Sequence, residues 1–146
     1  MAISPAAKPT SIRPLRMLAG LSLCLCSLYV ALCLLTYNQA DPSLNRATEN
    51  PAANLGGYTG ALTADLILQL LGAASALAVA IPLAWGGKML LGGRITFLWL
   101  RFTLLIAALV IAAPLFTLME PPLSWPIASG FGGSIGEVLH TTFYDA

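Results

Sequence analysis

Four features of this 146-residue chain carry the residue types that chemistry uses. The first is a pair of glycine-rich stretches, Asn54-Leu55-Gly56-Gly57-Tyr58-Thr59-Gly60 and Gly130-Phe131-Gly132-Gly133-Ser134-Ile135-Gly136. Such loops can cradle phosphate on their amides, but a phosphate cradle follows a strand and its nucleotide version carries a lysine after the last glycine. Neither condition holds, so the glycines read as tight turns that open helices, with Thr59 or a neighbour as cap. The second feature is Asp65, alone in an apolar run. An ionisable group inside a membrane marks an ion or proton path by default, yet no second one stands within reach on the same helix. A place about one turn from the helix start would set the carboxylate against the positive end of the helix dipole. The third is the step from Glu137 to His140, a spacing known from metal sites that draw further carboxylates from facing helices; no other such pair occurs. The fourth is Cys24, Cys26 and Cys33, which share one apolar run and serve there as small apolar fillers. No Ser-His-Asp, Cys-His or paired-carboxylate arrangement is present. No catalytic, cofactor-binding or metal-binding residue is expected.

The elements that hold these residues follow from composition. With 58% hydrophobic and only 9% charged side chains, the chain has too little polar surface for a water-soluble domain. A bilayer span needs about 20 apolar residues, and three charge-free stretches approach or exceed that length. The expected organisation is a basic cytoplasmic N-terminus at 1–16, transmembrane helices at 17–36, 61–86 and 97–118, an outer (periplasmic) loop at 37–60, a cytoplasmic loop at 87–96 and an outer segment at 119–146. The expected class is an all-α membrane protein. Lys8, Arg13 and Arg16 precede the first span and Lys88, Arg94 and Arg101 flank the 87–96 loop, so the positive-inside rule places both regions, and the N-terminus, in the cytoplasm. All six acidic residues and Arg46 then fall outside, which resolves a net charge of +1 into +6 inside and −5 outside. Tyr37, Tyr58 and Trp125 fall at the outer boundary and Trp85 and Trp99 at the inner one, as interfacial aromatics do. A signal peptide is the rival for residues 1–40, but its apolar core would be 7–15 residues long, and this one is longer.

Two patterns point to assembly. Along the second span Asp65, Gln69, Gly72, Ala73, Ala76 and Ala80 recur at three- and four-residue steps, a stripe of two polar and four small side chains suited to close helix packing. The two glycine stretches stand 76 residues apart, each after Pro- and Ser-containing text, so the chain reads as two tandem helical hairpins. Only Glu137 to Ala146 follow the second motif, too few to cross, so the second hairpin is expected to be incomplete and a fourth helix missing.

The order of a basic N-terminus, a first span ending Leu34-Leu35-Thr36-Tyr37-Asn38, then Asp41-Pro42-Ser43, the stretch Asn54 to Asp65, and later Ser124-Trp125-Pro126 with Gly132, Gly133 and Gly136 resembles the N-terminal four-helix membrane domain of the FtsK/SpoIIIE family of bacterial DNA translocases. The resemblance covers most of residues 17–140 and is most specific at 54–65. It implies an inner-membrane domain at the division septum that anchors a hexameric ATP-driven DNA motor, associates with itself and with other division proteins, and touches DNA and ATP only through that motor. The family's motor motif, Gly-x-x-x-x-Gly-Lys-[Ser/Thr], does not occur in this sequence. Membrane lipids and other membrane helices are the expected direct partners. A different class remains open on the residues alone: an accessory subunit that docks by its helices onto a larger membrane complex.

Overall fold

The computed structural model describes residues 12–44, 46, 48 and 50–144; Lys8, Glu49 and Asp145, counted in the charge partition above, lie outside them. Among the described residues five α-helices follow one another: α1 (Ile12–Leu35), α2 (Gly57–Leu71), α3 (Ser75–Leu90), α4 (Leu98–Thr117) and α5 (Gly133–Tyr144). A single turn of 3-10 helix at Gly72–Ala74 joins α2 to α3. Among the described residues the only strand-like pairing is an isolated bridge between Ser43 and Arg46.

Among the described residues three helical stretches are long and apolar enough to cross a membrane: Arg13–Leu35, Gly57–Leu90 and Leu98–Thr117. At 1.5 Å per residue the first reaches about 35 Å, enough for a hydrocarbon core of about 30 Å. Leu25, Leu28, Leu32, Leu104, Ile111 and Leu115 are exposed on these spans. Apolar surface of this extent is stable only against lipid tails or further helices.

The second stretch is not one straight rod. The region expected as a single helix over 61–86 is two helices, because Gly72 takes φ +54° and ψ −133°, outside the helical region, and the Ala73 N–H leaves the helix to bond the Phe131 carbonyl at 2.8 Å. The break separates two directions of travel along α1. From Gly56 to Asp65 the contacts on α1 and its exit move from Tyr29 and Cys33 to Tyr37. Along α3 they run the other way: Leu83 and Gly86 meet Cys24, and Gly86 and Met89 meet Gly20. The α1–α3 pair is thus antiparallel and close. A Cβ on Gly86 would stand 2.6 Å from the Cys24 Sγ, and one on Gly20 would stand 2.7 Å from the Met89 Cβ.

Moving the helix start to Gly57 also moves Asp65. It lies two turns into α2, whose first turn holds no acidic residue, so the helix dipole does not explain it. Arg101 is in the first turn of α4, where its Nε donates to the Thr96 carbonyl at 3.1 Å. Pro82 falls in the middle of α3 and Pro114 near the end of α4.

Candidate functional site

The outer ends of the helices are tied together by two buried polar side chains. Asp41 accepts the Ala53 N–H on one carboxylate oxygen at 2.8 Å and the Asn54 N–H on the other at 2.9 Å, closing the loop after α1. Asn54, 3% exposed, is used at both ends of its amide. Its Nδ2 donates to the carbonyls of Cys33 (2.8 Å) and Thr36 (3.1 Å), and its Oδ1 accepts the Gly56 N–H at 2.9 Å. The last carbonyls of a helix and the first N–H groups of the next have no partners of their own; one asparagine serves some of each. Of the cap expected for α2, Thr59 or a neighbour, Thr59 does not serve: its hydroxyl meets the Gly56 carbonyl and the Tyr29 hydroxyl, and Gly56 stands at the N-cap position without a side-chain cap. Gly56 and Gly60 are one helical turn apart and let α2 settle on Cys33: a Cβ on Gly60 would meet the Asn54 Oδ1 at 2.5 Å and the Cys33 Sγ at 3.0 Å.

The second glycine motif repeats this geometry on α4. Gly57 and Gly133 each begin a helix and each has φ +66°. Gly132 and Gly136 sit against Thr117 and Ala113 as Gly56 and Gly60 sit against Cys33. A Cβ on Gly136 would lie 2.5 Å from the Thr117 Oγ1 and 2.6 Å from the Ala113 carbonyl oxygen. Trp125 folds the loop inward, its Nε1 donating to the Gly130 carbonyl at 2.8 Å and its ring standing edge-on to Phe131, which packs likewise on Phe116. The two units meet where the second motif rests on the break in the first. The Phe131 carbonyl takes the Ala73 N–H, and a Cβ on Gly133 would lie 2.6 Å from both the Gly72 nitrogen and the Leu70 carbonyl oxygen.

Asp65, 5% exposed, lies beside this junction. Its Oδ1 accepts from the Tyr37 hydroxyl at 3.1 Å and from the Gln69 Nε2 at 2.8 Å. Burial, then the Asp65 charge and hydrogen bond, then the charge of Asp41, push the Tyr37 hydroxyl up to about 12. A cleft of about 520 Å³ with a mixed lining opens above: Tyr37, Gln39 and Arg46 from the first loop, Asp65, Leu66 and Gln69 from α2, and Ile127 and Ser129 from the second loop.

The proposed packing stripe divides at the break. Asp65, Gln69 and Gly72 face Tyr37 and the second loop, whereas Ala76 and Ala80 are exposed and, with half-buried Ala73, line a separate apolar groove with Leu34, Val79, Trp125 and Phe131. Helical periodicity does not survive a residue at positive φ, which is why the stripe reads as one face only in the sequence. Of the positive residues, Arg13 lies 3.6 Å from where a Gly92 Cβ would be, so the start of α1 and the α3–α4 loop share one end of the molecule; Lys88, Arg94 and Arg101 belong to that loop or its flanks. Sequence reasoning named Tyr37 as an interfacial aromatic and Asp41 as part of a motif without their hydrogen-bonding roles, and missed Gly20 and Gly86 altogether. Gly20 and Cys24, small residues four apart, were the available signal.

A helical membrane protein of two like units, each a span followed by a glycine-opened helix, is the class this geometry defines. The chain belongs to the FtsK/SpoIIIE family, matching over residues 13–146 what is described as the 4TM region of DNA translocase FtsK/SpoIIIE. It is 33% identical over 128 residues to the DNA translocase FtsK of Agrobacterium fabrum, a match covering 88% of this chain and 14% of that protein. It is 34% identical over 137 residues to the DNA translocase FtsK of Bradyrhizobium diazoefficiens (94% and 17%) and 36% identical over 128 residues to that of Brucella suis (87% and 15%). The chain thus spans less than a fifth of the length of these relatives, and the match is to the membrane region. No solved structure matches.

Proposed function

We propose that this chain is the inner-membrane anchor and assembly domain of a DNA translocase acting in cell division and chromosome segregation, located at the division septum and without catalytic activity of its own. The observation that carries the reading is the match to the 4TM region across residues 13–146, in a chain whose spans leave most of their apolar surface open to lipid or other helices. The physical task of such a domain is to hold a fixed arrangement of helices in the bilayer while presenting outer loops to neighbours. Main-chain and buried polar ties at Asn54, Asp41 and Gly72 supply that rigidity. The apolar groove beside Ala76 and Ala80 supports self-association or the docking of another division protein's helix.

The N-terminus and the α3–α4 loop lie in the cytoplasm in this reading. Support comes from Arg13, Arg16, Lys88, Arg94 and Arg101 gathering at one end, where the positive-inside rule operates. DNA and ATP are handled by the motor of the whole protein, not by these residues.

A fluorescent fusion to the full-length protein of the source cell tests the proposal. Septal enrichment that is retained by residues 1–146 alone is expected. An even distribution around the envelope for both would overturn the septal role, and a periplasmic-active reporter at Gly92 would overturn the orientation.

A further inference from the structure

We propose that the cleft between the two outer loops is a site for the headgroup of a phospholipid bearing a primary amine, with Asp65 receiving the ammonium and Arg46 the phosphate. The Asp65 carboxylate is 5% exposed, and its two hydrogen-bond donors, Tyr37 and Gln69, are neutral and both sit on Oδ1. Among the described residues Oδ2 takes no hydrogen bond, and no buried side-chain oxygen is left without a partner, so Oδ2 is the atom that opens to the cleft Asp65 lines. A buried carboxylate met only by neutral donors is complementary to a cation. Arg46 lines the same cleft with one of its N–H groups on the Gln39 carbonyl at 3.0 Å, and a guanidinium has five such donors for a phosphate.

Three further observations select a lipid over a soluble ion or a peptide. Both charges lie in one cleft of about 520 Å³, within the about 300–1,000 Å³ of small-molecule sites, and a simple cation or anion would use only one of them. Leu66 and Leu70 line the same cleft and are 46% and 41% exposed, so its charges have an apolar wall beside them. Tyr37 and Gln39 on its wall follow the end of the α1 span at Leu35, where a helix leaving the hydrocarbon core meets the headgroups. Serine hydroxyls from both loops, Ser43 and Ser129, complete its rim.

The test reconstitutes the full chain into vesicles of phosphatidylethanolamine, phosphatidylcholine or phosphatidylglycerol with matched acyl chains, then counts retained lipids by native mass spectrometry. Phosphatidylethanolamine is expected to be retained about tenfold over phosphatidylcholine, whose trimethylammonium donates no hydrogen bond, the size of one charge-assisted contact. Asp65→Asn should abolish that preference, and Arg46→Gln should lower retention of the amine lipid while keeping its preference over phosphatidylcholine. Because Asp65→Asn also alters the Tyr37 contact, the three-lipid comparison on the unaltered chain stands by itself. Equal retention of phosphatidylethanolamine and phosphatidylcholine overturns the proposal, as does equal retention of phosphatidylglycerol or an undiminished preference in Asp65→Asn.

Discussion

The carboxamide of Asn54 donates to the carbonyl oxygen of Cys33 at 2.8 Å, joining the loop just before α2 to the last turn of α1 across 21 positions of sequence. Cys33 itself is fully buried beneath Gly56 and Gly60. The bond therefore fixes both where α1 ends and where α2 begins.

Asn54→Ala removes three hydrogen bonds and leaves two carbonyls and the Gly56 N–H in a buried place, so a loss of about 3 kcal/mol is expected. Asn54→Asp should be worse, since it sets a negative oxygen against two carbonyl oxygens. Denaturant unfolding in micelles gives the order; an Asp variant more stable than the Ala variant would contradict the donor assignment.

Gly57→Ala and Gly133→Ala place the same side chain at the same φ of +66° in the two units. At Gly57 nothing lies within 4 Å of the new Cβ, so only backbone strain of about 1 kcal/mol is expected. At Gly133 the Cβ would collide with the Gly72 nitrogen and the Leu70 carbonyl oxygen, both at 2.6 Å, and several times that loss should follow. Equal melting temperatures for the two variants would show that the second motif is not seated on the break.

Tyr37 gives a pH dependence of definite sign. Its hydroxyl is raised from 10.0 to about 12 by burial and by the Asp65 charge, so the folded protein holds this proton more tightly than the unfolded chain. The contribution to stability is complete below pH 10.0 and is lost as pH rises through about 12. Tyr37→Phe should be less stable near neutrality and should lose less stability across that window; unfolding midpoints at a series of alkaline pH values measure both.

Leucine substitutions separate the two candidate packing faces. Gly86→Leu drives a branched side chain into Cys24, whose Sγ would be 2.6 Å from its Cβ, and should abolish the stable fold. Ala76→Leu, on an exposed position, should change stability of the isolated chain by less than about 0.5 kcal/mol. Thermal unfolding in detergent distinguishes them, and similar losses at both sites would mean that the groove beside Ala76 is closed.

The spans were legible because charge-free length is a one-dimensional property: Met17 to Ala40 and Phe102 to Met119 need no knowledge of neighbours. So was the repeat, since Gly56 and Gly132 carry matching text. Asn54 was legible as part of a motif but not as a tie, because its partners at Cys33 and Thr36 become near only once the loop has closed on Asp41. Asp65 misled for a related reason. Its role depends on a helix boundary, and moving the start of α2 to Gly57 turned a helix-start carboxylate into the acceptor for Tyr37. The stripe from Asp65 to Ala80 is divided at a single residue, Gly72, whose positive φ resets the rotation of everything after it.

The meeting of the two units at Gly72, Phe131 and Gly133 is made of main chain, through the Ala73 N–H and the Phe131 carbonyl, with glycine on either side. Peptide groups are the same in every protein, so the joint is specified by side chains that are missing rather than by side chains that match. In such a design the information is concentrated in a few empty positions, and the apolar majority of the sequence is left free to fit whichever bilayer it inhabits.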